Sequence, residues 1–79
     1  VARVVVGWLR GGRPHDDGRY TLVIEERATR KTVAMVLSSD RVARELTDSG
    51  ARIGDLVEVS RTHGKLLEKV QERTQERGR

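Results

Sequence analysis

The stretch that decides the fold is SSDRVARELTDSGARIGDLVEV, residues 38–59. Ser39 or Asp40 offers a short side-chain oxygen to an orphan amide at a helix start. Val42, Ala43 and Leu46 then fall on one apolar stripe at helical spacing, with Arg41, Arg44, Glu45 and Asp48 opposite. Gly50 follows the last periodic residue, where a left-handed cap costs least without a β-carbon. Gly54 and Asp55 make a turn, and Leu56 to Ser60 opens a strand with Val57 and Val59 on one face. A helix this short, with so narrow a stripe, plugs one end of something rather than forming a layer.

Upstream, the pattern changes to strand. Val4, Val6 and Trp8 alternate with Val5 and Leu9 over Ala2 to Leu9, apolar on both faces, and Gly7 predicts a bulge or sharp bend there. Arg10 to Arg19, with three Gly, the only Pro and two Asp, reads as a loop. Tyr20, Leu22 and Ile24 share one face of a strand from Tyr20 to Glu26. A short connection at Ala28-Thr29-Arg30 makes the next strand, Lys31 to Leu37, antiparallel to it. Downstream, Arg61 to Lys65 reads as a hairpin turn with Gly64 supplying a positive φ. Lys65 to Val70 fits either a strand or a helix, the strand being favoured by the hairpin. Gln71 to Arg79 has no apolar stripe and reads as a solvated or helical tail.

The order β-β-β-α-β-β predicts an all-β fold with one short helix, a small five-stranded OB-like barrel over residues 1–70 with the helix closing one end. A different small barrel, or a sheet with the helix packed across it and a helical last segment, is the alternative. Seventy-nine residues make one domain near the lower limit for a self-sufficient core. The chain opens on Val1 already in strand pattern, which reads as a domain of a larger protein or a processed product.

Composition narrows the chemistry. Without cysteine there is no disulfide framework or thiolate site, which fits a reducing, cytoplasmic setting. No apolar run approaches the roughly 20 residues of a membrane span. Catalysis finds little support, so a non-enzymatic protein without cofactor is expected. His15 beside Asp16 and Asp17 suggests a metal or oriented-base site, but only His63 could add a second imidazole. Ser38 and Ser39 have no base at suggestive spacing, and the glycines form neither a dinucleotide nor a P-loop pattern.

The net charge of +4, carried by 16 basic residues against 12 acidic ones, is compatible with a nucleic-acid partner or a solvated surface. In OB-type barrels, the loops joining strands one–two and four–five flank the binding face. Those loops would bring Arg10, Arg13, His15 and Arg19 to one groove with Arg61, His63 and Lys65. Trp8 reads as core first and stacking platform second; Tyr20 divides evenly between the two roles. With Tyr20 included as a stacking residue, the expectation is weak, backbone-directed binding of single-stranded DNA or RNA.

The succession Gly7, Pro14-His15-Asp16, Tyr20, then Asp40 to Leu46, Asp48-Ser49-Gly50-Ala51 and Ile53 to Val59 resembles a small module of conjugative-plasmid DNA-transfer proteins, the relaxases and primases. The resemblance spans about residues 3–60. Those modules carry Trp-Gly just before the helix, where this chain has Leu37-Ser38-Ser39. It implies an accessory domain in plasmid conjugation that binds DNA or docks onto another domain or a secretion component, and it supplies no catalytic residues. Pure protein docking, through the charged helix face or the tail, is the rival class. A ribosome-associated OB protein is a third.

Overall fold

A computed structural model describes residues 4–70. Five antiparallel strands form a single sheet: β1 (Val5–Pro14), β2 (Tyr20–Glu26), β3 (Thr32–Leu37), β4 (Leu56–Val59) and β5 (Gly64–Glu68). One helix, α1 (Arg41–Asp48), lies between β3 and β4. The spatial order is β3-β2-β1-β4-β5. This is the order of an OB-type barrel opened along one seam: among the described residues β3 and β5 do not pair, so the expected barrel is an open sheet. The last segment is strand, as the hairpin required. The tail at 71–79 lies outside the described residues.

The inner face carries the core. Val5, Leu9, Leu22, Ile24, Leu37, Val57 and Val59 are buried beneath Val42 and Leu46 of α1, with Tyr20, Met35 and Leu66 packed around them. The α1 stripe therefore does what its spacing demanded. Its start is held by Ser39 Oγ, which accepts from the Arg41 amide at 3.2 Å, and not by the Asp40 side chain. Its end is a Schellman cap: the Gly50 amide (φ 93°) donates to Thr47 O and the Ala51 amide to Leu46 O. Glu45 does not stand in the solvated row. It turns to accept from the Gly64 amide at 3.0 Å, tying α1 to β5.

Three expectations are corrected. Gly64 has no positive φ; it lies where β5 passes under α1, and a β-carbon there would press on Val42 and Leu46. Gly7 is not a bulge: it pairs regularly with Glu26 and Val57, and its missing β-carbon makes room for the Glu25 carbonyl. The bulge falls instead at Arg10, between the pairs Leu9–Ile24 and Gly11–Val23. Nor is Arg10 to Pro14 loop. Glycine-rich and polar though it is, it continues β1 as far as the Pro14–Tyr20 pair, leaving only 15–19 as the connection.

Candidate nucleic-acid interface

The bulge at Arg10 decides what the outer face of the sheet displays. Strict alternation from Trp8 would turn Arg13 inward. The extra residue shifts the phase, so Gly12 faces inward opposite Leu22 and Arg13 faces outward opposite Thr21. Three cross-strand rows result: Trp8–Glu25–Thr32, Gly11–Val23–Ala34 with Arg10 at the bulge, and Arg13–Thr21–Val36. These rows are the outer surface of β1, β2 and β3, and Val36 in the last is 53 % exposed.

Trp8 is a residue of this face and not of the core, because buried Val5 and Leu9 flank it on the opposite parity. It is half-buried, set between Leu56 of β4 and Glu25 of β2. The Arg30 guanidinium carbon stands 5.1 Å from its ring centroid, a cation–π contact. Glu25 gathers both neighbouring arginines. Arg10 donates to its Oε1 from Nε at 3.1 Å and from its terminal nitrogen at 2.7 Å, and Arg30 approaches Oε2 at 3.5 Å. The Arg10 hydrogen bonds, helped by both positive charges and opposed by partial burial, hold the Glu25 carboxyl below its ordinary range.

The connection at 15–19 borders this face. His15, Asp17, Arg19 and Thr21 line a shallow depression with Val36. His15 Nε2 is hydrogen-bonded to Thr21 Oγ1 at 2.6 Å, and Arg19 binds Asp17 at 2.8 Å. That hydrogen bond to Arg19 lowers the Asp17 pKa. His15 is thus engaged with a hydroxyl and Asp17 with a guanidinium. Among the described residues, no three His, Cys, Asp or Glu side chains are grouped to hold a metal ion.

The residues expected to share one groove are distributed as follows. Arg10 and Arg13 lie on the outer face, with Arg19 at its border. Lys65 is also on the outer side, across the sheet on β5, opposite Glu58 and through it Val6. Arg61 and His63 sit in the β4–β5 turn, next to the Val5–Val59 pair, whereas the β1–β2 connection follows the Pro14–Tyr20 pair. The two turns therefore stand at opposite ends of β1, separated by roughly 30 Å of strand. His63 leans toward α1, with Nδ1 3.9 Å from Glu45. Tyr20 is on the inner side, its ring over Gly12 and against the core.

Comparison with protein-family models, curated proteins and solved structures finds no match for this chain.

Two site residues escaped the sequence reading. Glu25 looked like one polar position in an alternating strand, and only the register puts it between two arginines and the aromatic. Arg30 looked like part of a turn; its left-handed φ of 65° at a position that ordinarily favours glycine or asparagine is a feature of the folded hairpin. A third residue, Asp55, is a structural clasp. It is fully buried, accepting from the Arg52 and Val70 amides at 2.9 and 3.0 Å and from Lys69 Nζ at 2.9 Å.

Proposed function

We propose that this chain is a non-catalytic module that binds single-stranded nucleic acid on the outer face of β1, β2 and β3, as an accessory domain of a DNA-transfer protein. The observation that carries the reading is the placement of the only tryptophan outside the core, on the face that also presents Arg10, Arg13 and Arg30. A stacking surface with cations on the same face is what single-strand binding uses: bases stack on the ring, and the backbone follows the positive charge. β2 and β3 also form the oligonucleotide face of OB-type sheets in general. Accessory service in DNA transfer rests on the resemblance in the order of sequence motifs, and it implies a cytoplasmic location. No helix among the described residues is long and apolar enough to cross a membrane.

One aromatic and three cations, two of them paired with Glu25, predict an affinity on the order of micromolar or weaker at low salt. An amide and indole chemical-shift titration with a short single-stranded oligonucleotide tests the reading. Shifts should gather at Trp8, Arg13, Thr21, Val23, Arg30 and Val36 and leave α1 unmoved. Absence of any shift at low salt would turn the assignment toward protein docking.

A further inference from the structure

The geometry points to a single-base pocket formed by Trp8, Glu25 and Arg30, in which Arg30 is a movable cover and Glu25 selects guanine. The inference rests on the nucleic-acid reading above and adds to it a base preference.

Three observations carry it. First, the Trp8 ring is presented outward but covered. Arg30 stands over it at 5.1 Å and, among the described residues, pairs with Glu25 at 3.5 Å, its own side chain being 71 % exposed. Second, the cover is aimed by the backbone. Arg30 is the one non-glycine residue with positive φ among those described, fixed by hydrogen bonds from the Arg30 amide to Glu26 O and from the Glu26 amide to Lys31 O, both 2.8 Å. An arginine in this conformation is uncommon, and such departures concentrate at functional positions. Third, the carboxylate beside the ring is an acceptor with capacity to spare. Both Arg10 bonds fall on Oε1, so when Arg30 swings away, the two lone pairs of Oε2 become available.

Those parts select by donor pattern. A base stacked on Trp8 in place of the guanidinium would set its edge against Glu25, while the displaced Arg30 would pair with a phosphate. Guanine offers two adjacent donors, N1–H and the exocyclic amine, which can converge on the two lone pairs of Oε2 as the two Arg10 donors converge on Oε1. Thymine and uracil offer one N–H between two carbonyls, whose lone pairs would face the negative charge. Adenine and cytosine offer an amine next to a ring acceptor.

Because Trp8 is the only tryptophan, its fluorescence reports the pocket directly. The experiment compares, at low salt, a thymidine hexamer with the same hexamer carrying guanine at its two central positions, followed by Trp8 emission and by amide shifts. The guanine-bearing strand should bind about tenfold more tightly and quench Trp8 more deeply, the discrimination usual for one bidentate base contact. In Glu25→Gln that ratio should fall to about twofold or less. Arg30→Gly, which removes the backbone strain and uncovers the ring, should weaken both strands similarly and leave the ratio near its original value. Its folded amide spectrum then shows that the pocket is intact. Equal affinity for the two strands or a ratio unchanged in Glu25→Gln would overturn the pocket while leaving the interface standing; binding without any change in Trp8 emission would overturn both. Failure of both strands to bind would remove the interface, and the pocket with it.

Discussion

At the scale of single residues, the outer face depends on parity and on one ion pair. Alternation placed Val4, Val6 and Trp8 together in the sequence, but it could not say which face was inner, because valines occupy both. Burial of Val5, Leu9 and Ile24 decides it against Trp8. Glu25 takes its chemistry from its neighbours. Its carboxyl is held below the ordinary range by Arg10 first. A depressed folded-state pKa means that the contribution of this group is present above the ordinary carboxylate range, near about pH 4.3. That contribution is lost as pH falls through the lower folded value. A carboxyl-detected titration should therefore give Glu25 a midpoint below that of an unpaired glutamate, and Arg10→Gln should raise it. An unchanged midpoint in Arg10→Gln would show that the contact does not form in solution.

At the scale of elements, the helix and the turns around it were legible because their signals are local. A stripe at i and i+4, a glycine stop and a Gly-Asp turn need no knowledge of partners. β1 was not, because glycine, proline and charge between Arg10 and Pro14 read as loop by composition, whereas pairing with Tyr20 to Val23 keeps the segment extended. The same local logic missed what Asp55 does. It was visible as a turn residue, but its acceptor bonds to Lys69 and Val70 reach 14 and 15 residues along the chain and fasten the end of β5 to the start of β4. Lys69 Nζ also donates to Gly50 O at 2.7 Å, adding the helix terminus to the same clasp. Urea unfolding should show Leu46→Ala losing about 2–5 kcal/mol, the range for truncating a buried leucine. Asp55→Ala should lose about 1–3 kcal/mol, because it removes the acceptor of the part-buried Arg52 and Val70 amides and one of the two acceptors of Lys69 Nζ. Losses under about 1 kcal/mol for either would mean that α1 or the clasp does not hold the sheet together.

At the scale of the whole molecule, the element order was readable and the closure was not. Five strands and a helix in the order β-β-β-α-β-β follow from short-range patterns. Whether β3 meets β5 depends on the coiling of the entire sheet, which no stretch of residues encodes alone. The same limit explains why the two basic turns were expected in one groove: a closed barrel drawn from order alone brings them together, while the register sets them at opposite ends of β1. The cations on the face that carries Trp8 include Arg10, Arg13 and Arg30, and the claim that they form an interface is a claim about position rather than total charge. It is tested most directly by two double reversals that change net charge equally, Arg13→Glu with Arg30→Glu on the outer face and Arg41→Glu with Arg44→Glu on the helix. Affinity for a short single strand would be measured across a salt series for each. The unmodified chain should show a logarithmic salt slope of about −2, as for three phosphate contacts on a single strand. The outer-face reversal should abolish binding, and the helix reversal should change it by no more than about twofold at moderate salt, where distant charges are screened. Equal losses from the two reversals, or no binding by the unmodified chain at low salt, would contradict the account.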